Sequence, residues 1–160
     1  LCQEIKKFDT ERPIMVSPRY AGEKYNPQCV IVPEVHKKHF DFILNKMEGL
    51  IDIYAPMDGH VAFSKLDSYM SVTAELMEKY KVQYWTNLET FDRDMPITFL
   101  PIKWEKLLLK MDMARRAGMD GAITFEFSHF MSPNSEYQQA GHLYDRYCDH
   151  FGIKNKWKKR

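Results

Sequence analysis

A chain of 160 residues, 44% of them hydrophobic and 28% charged, is the size of one domain and has enough apolar side chains to bury a core. Its 23 Lys and Arg against 22 Asp and Glu leave a net charge of +1, which argues against a broad nucleic-acid footprint. No apolar run approaches the roughly 20 residues that cross a bilayer, and nothing at the start has the form of a signal peptide.

In chain order, Leu1 to Phe8 reads as the last turns of a helix, with Cys2, Ile5 and Phe8 on one side; this predicts a further piece of chain upstream. PIMVSPRY, Pro13 to Tyr20, predicts a first strand, and Pro18 confines its end to a place where no ladder donor is needed. Ala21 to Pro33 is loop, broken by Gly22, Asn26 and Pro27. Pro33 suits the first turn of a helix that runs to about Met47, with Phe40, Ile43, Leu44 and Met47 on its buried face and Gly49 past its end.

LIDIYAP, Leu50 to Pro56, is the second strand, followed by a turn at Asp58-Gly59 and a helix from about Ser68 to Tyr80. QYWTNLETF, Gln83 to Phe91, is the third strand, and the charged and proline-containing stretch after it reads as loop to Pro101. The helix Ile102 to Ala117 has the clearest period in Trp104, Leu107, Leu108, Met111 and Ala114, and Gly118 ends it. GAITFEF, Gly121 to Phe127, is the fourth strand, and a last helix runs from about Glu136 to Phe151 before Gly152. Lys154, Lys156, Lys158, Lys159 and Arg160 then surround Trp157 in what reads as a solvated basic tail with one aromatic docked back on the protein. Cys2, Cys29 and Cys148 have no CxxC spacing and no partner histidines at metal-ligand spacing, so free or buried thiols are expected, with no metal and no cofactor.

Four repeats of strand then helix predict an α/β fold with parallel strands, because parallel neighbours need a long return path and a helix supplies it. Four βα units can form a small open sheet or the second half of a (β/α)8 TIM barrel, and the helical start favours the half barrel, a single domain over residues 1–160. Such a half barrel has two strand edges to cover, so its missing N-terminal half or a second copy is the expected partner. A flavodoxin-like sheet for a phosphate cofactor is disfavoured, since no glycine-rich turn follows any strand.

Side chains on a strand alternate between faces, so parity predicts which ones meet. Gln83, Trp85, Asn87 and Glu89 share one face; Ala122, Thr124 and Glu126 share another; Asp52, Tyr54 and Asp58 a third; Met15, Ser17 and Arg19 a fourth. Each of these faces gains polar groups toward the strand's C-terminal end, where barrel enzymes keep their chemistry. Glu89 and Glu126 are thus candidate catalytic carboxylates. Tyr20, Tyr54 and Trp85 are candidate sugar-stacking rings, and Asp58, Asn87 and His129 candidate substrate ligands. Each has a plainer reading beside it. A buried acid pairs with an arginine such as Arg19, Trp85 is core, and His129 is a loop histidine.

APMDG at Ala55 to Gly59, WTNLETF at Trp85 to Phe91 and FEFSHFMSP at Phe125 to Pro133 resemble the C-terminal half of a bacterial family of glycosidase-like TIM barrels, catalogued as domain of unknown function four-four-three-four. SPRY, Ser17 to Tyr20, and AGHLYDRY, Ala140 to Tyr147, resemble it as well. The resemblance implies that these strands are the fifth to eighth of a barrel, that the protein is exported, and that it is a glycoside hydrolase acting on carbohydrate. It implies for Glu89 the place of a nucleophile at the end of the seventh strand. The matching acid/base after the fourth strand, usually an Asn-Glu pair, is not in this sequence. The alternative is a non-catalytic barrel that binds carbohydrate or serves as a scaffold through the same residues.

Overall fold

The structure, a computed structural model, describes residues 1–20, 32–94 and 99–157. Gly22, Asn26, Pro27, Cys29 and the basic residues Lys158, Lys159 and Arg160 lie outside the described residues. The elements in order are α1 (Cys2–Phe8), β1 (Met15–Val16), α2 (Pro33–Lys46), β2 (Ile53–Tyr54), α3 (Leu66–Tyr80) and β3 (Gln83–Glu89). They continue with β4 (Phe91–Asp92), β5 (Leu100–Pro101), α4 (Trp104–Arg116), β6 (Gly121–Phe125), α5 (Phe127–Phe130) and α6 (Gln138–Phe151).

The main sheet has the order β1-β2-β3-β6, so the four expected strands lie side by side in chain order. β1 pairs parallel with β2, and β2 parallel with β3, in the registers Met15 to Ile53 and Ile53 to Gln83. The α/β class and the parallel sheet are as the sequence predicts. Just past α2, α4 and α6 a glycine takes the left-handed conformation, Gly49, Gly118 and Gly152 at φ of 71°, 72° and 64°, while α3 ends on a left-handed Lys81 at 56°. Among the described residues no helix is long and apolar enough to cross a membrane.

The chain divides into two compact units, residues 1–87 with 113–123, and residues 88–112 with 124–160. In the first unit Ile14, Phe40, Leu44, Ile51, Tyr54, Leu76, Met77, Val82 and Tyr84 form one core between the sheet and α2 and α3. Cys2 and Ile5 of α1 pack against it, but Phe8 is 91% exposed, on the far side from where the helical period sets it. Tyr20, Val61, Leu66, Tyr69 and Met70 make a second cluster. In the second unit the core is Leu88, Ile102, Trp104, Leu107, Met131 and Leu143.

Two elements depart from the expectation. The stretch after β3 is not simply loop: β4 and β5 pair antiparallel, Phe91 with Pro101 and Asp92 with Leu100, as the stem of a hairpin. The fourth strand stops at Phe125, and Phe127 to Phe130 wind into the short helix α5, because Glu126 caps it with its own side chain.

Candidate functional site

In the second unit, Glu89 closes β3 and is 1% exposed. A carboxylate cannot be left bare at that depth. Arg93 answers it, Nε donating to Oε2 at 2.7 Å and Nη2 to Oε1 at 2.9 Å. This is the bidentate fork that arginine makes with carboxylates. The guanidinium also lies over the rings of Phe91 and Phe99, 4.9 and 5.2 Å from their centroids, so the hairpin that carries these residues holds Arg93 in place. Lys110, buried on α4, donates to the Glu89 carbonyl at 3.1 Å. The plainer reading of an arginine partner for the acid is therefore realised, by Arg93. Sequence reading passed over Arg93 because a Glu and an Arg four apart signal a helix, and here a turn into β4 creates the contact.

Glu126 stands one residue beyond β6. Its carboxylate accepts from the backbone N–H of His129 at 2.7 Å and of Ser128 at 3.2 Å, and Oε1 also meets the His129 ring Nδ1. Partial burial raises its proton affinity, but the His129 amide and ring and the Ser128 amide outweigh it, so the carboxyl titrates below its ordinary range. That is the reverse of the raised pKa that a shared field with Glu89 would produce. Thr90 ties the two strand ends together: its N–H donates to the Phe125 carbonyl at 2.8 Å and its hydroxyl to the Glu126 carbonyl at 3.0 Å. Glu89, Glu126 and His129 thus belong to one hydrogen-bonded neighbourhood.

In the first unit, Asn87 and Ser17 meet on the face away from the helices. Asn87 Nδ2 donates to Ser17 Oγ at 3.1 Å, and Ser17 Oγ donates to the Ala55 carbonyl at 2.7 Å. Asn87 Oδ1 is buried and has no hydrogen-bond partner among the described residues. Asp58, 1% exposed, donates its N–H to the Asn87 carbonyl at 3.4 Å. Trp85 is half-buried, and its ring packs over Gly121 at the start of β6.

Tyr54 and Tyr20 do not stand on that face. Tyr54 is 2% exposed in the core with its ring edge-on to Phe40, 5.8 Å away. The parity expected for this strand fails because Asp52 is not yet in it. Asp52 accepts from the Ile14 N–H at 2.7 Å and from Lys6, and only Ile53 and Tyr54 are strand, so the alternation begins one residue later and every face is exchanged. Tyr20 is fully buried against His36 and Tyr69, and its hydroxyl meets that of Tyr84 at 2.6 Å. Burial above all, then the neighbouring tyrosines, pushes the Tyr20 phenol well above its usual range, and burial does the same to Tyr54. Neither ring is open to a sugar.

Comparison with known proteins adds the context. The family model described as "Domain of unknown function (DUF4434)" matches residues 1–137. A solved structure described as a "putative alpha-L-fucosidase" from Bacteroides thetaiotaomicron superposes with a TM-score of 0.89 at 46% sequence identity, over 96% of this chain and 48% of that one. The chain therefore spans about half the length of that neighbour. No curated protein matches. The chain belongs to the DUF4434 family.

Proposed function

We propose that this member of the family is the part of a glycosidase-like TIM barrel that carries strand-end carboxylates, and that the protein hydrolyses a glycoside. The observation that supports this best is the Thr90 link: it joins the ends of two neighbouring strands, each bearing an acid, in the arrangement barrel enzymes use. The glycosidase-like neighbour points the same way.

Hydrolysis of a glycoside needs one carboxylate and one carboxylic acid. Glu89 takes the nucleophile or base role. Glu126, with its pKa held down, is ionised at neutral pH and is unsuited to protonate a leaving group, so it binds a sugar hydroxyl or steadies charge, and His129 orients it. Asn87 and Asp58 belong to the substrate-binding set, Asn87 through its amide oxygen, which has no hydrogen-bond partner among the described residues. Trp85 completes that set.

A panel of aryl glycosides that includes an α-L-fucoside tests the reading: release of the aryl group by the wild type and none by Glu89→Gln supports it. Turnover undiminished in that variant removes Glu89 from the role. The second reading, a barrel that binds carbohydrate without cleaving it, draws on the fact that both acids already have structural partners. Calorimetry run beside the panel separates the two, since affinity without any release favours binding alone.

A further inference from the structure

Trp157 lies at the C-terminal end of the described chain and is 59% exposed. Burial does not explain where it sits. A polar clasp does: Asn155 Nδ2 donates to the Asp145 carboxylate on α6, and Asn155 Oδ1 accepts from the Trp157 backbone N–H at 2.8 Å. The backbone of Trp157 is thereby tethered beside a hollow of about 660 Å³ in the second unit, which Trp157 lines together with Ser135, Glu136, Tyr137, Gln138 and His142. That volume lies within the range of small-molecule sites. Tyr137 is 36% exposed, and its ring is stacked on Phe130 at 6.0 Å and 16°, which fixes its orientation. Among the described residues, the side chains of Glu136, Gln138 and His142 make no hydrogen bonds of their own.

We infer that this hollow is an ancillary sugar-binding site that grips a pyranose ring of a polymeric glycan, separate from the carboxylates at Glu89 and Glu126. An aromatic ring has a negative face that attracts the weakly positive axial C–H groups of a pyranose, and the amide of Gln138, the imidazole of His142 and the carboxylate of Glu136 match the hydroxyls on its rim. Glu136 and Asp145 disfavour an anionic occupant, so the ligand is a neutral sugar. The inference rests on the carbohydrate reading above and deepens it by assigning the polymer a second point of attachment.

Affinity electrophoresis and calorimetry with xyloglucan, mannan, arabinan and a fucosylated mucin test it, with the aryl glycoside panel run in parallel. Trp157→Ala and Tyr137→Ala are expected to weaken binding to the retained polymer at least tenfold and to leave turnover of the small glycoside unchanged. Trp157→Phe restores part of the affinity, and Glu89→Gln keeps it. Wild-type affinity in Trp157→Ala, or retention of the wild type by no polymer, overturns the inference. Hydrolysis of a small glycoside in that second case leaves the proposed activity standing. Polymer binding that depends on Trp157 with no hydrolysis anywhere does the opposite.

Discussion

Glu89 and Arg93 form a two-point ion pair with the carboxylate 2% exposed at its side chain and the guanidinium 24% exposed. Removing one member of a buried pair strands the other charge and costs about 3–5 kcal/mol, whereas replacing both with apolar groups of similar volume is often neutral. Glu89→Gln is expected to lose stability as well as activity, so that variant has to be read beside one that restores the fold without the carboxylate. The pair Glu89→Leu with Arg93→Met is expected to recover most of the stability lost in Glu89→Leu alone, as read by urea unfolding, while turnover stays absent. Activity recovering along with stability would show that the carboxylate is needed only to hold the hairpin.

Tyr54 is the clearest test of where parity led astray. Its hydroxyl is buried without a hydrogen-bond partner among the described residues, so Tyr54→Phe removes a group that gains nothing from the fold. That variant is expected to unfold at the same temperature as the wild type or slightly higher, and to bind glycans unchanged. Tyr54→Ala opens a cavity beside Phe40 and Leu44 and costs about 3–5 kcal/mol. A Tyr54→Phe variant that keeps its stability but loses sugar binding would return the ring to the site.

The parts of the site that could be read in advance sit on long regular strands. Across β3, Tyr84 and Leu88 go to the cores and Asn87 to the opposite face, as alternation over seven residues requires. Over the two residues of β2 one irregular step at Asp52 was enough to exchange the faces. Arg93 was hidden for a different reason. Its partner is set by the β4–β5 hairpin, and Asp92, Arg93 and Asp94 look like solvated loop charges until that hairpin pairs Asp92 and Asp94 with Lys106. The cap at Glu126 likewise depends on α5, which is too short to leave a helical period in the sequence.

His36 makes stability depend on pH in a definite window. It is fully buried among the Phe40, Tyr69 and Tyr20 rings, and burial first, then the nearby His39, pushes its pKa from the ordinary value of 6.5 down to about 4. Between those values the unfolded imidazole takes a proton that the folded one refuses. The stability it contributes is complete above about pH 6.5 and is lost as pH falls toward 4, by roughly 3 kcal/mol at about 1.4 kcal/mol per pH unit. Carboxylates with lowered pKa, such as Asp52 and Glu126, add losses of their own at the acid end. The comparison that isolates His36 is urea unfolding of wild type against His36→Leu from pH 7.5 to 4.5. The variant is expected to be less stable at pH 7.5 but to lose less on acidification; equal losses would rule out the buried imidazole as the cause.

Gly121 fixes Trp85 by having no side chain. A Cβ built there would come within 2.8 Å of the Trp85 Cδ2 and Cε2 atoms, closer than carbon atoms approach without displacement. β6 begins at that residue, and the backbone N–H of Asp120 just before it donates to the Tyr84 carbonyl at 2.7 Å, so the strand cannot simply move away. The indole must turn instead, or the pairing must stretch. Gly121→Ala is therefore expected to cost about 1–3 kcal/mol by thermal unfolding. If Trp85 contacts the glycan, Gly121→Ala also weakens binding, because the ring that receives the sugar has been rotated. Combining Gly121→Ala with Trp85→Leu removes the clash and should recover the stability but not the affinity. A double variant no more stable than Gly121→Ala alone would mean that the glycine serves the backbone and not the ring.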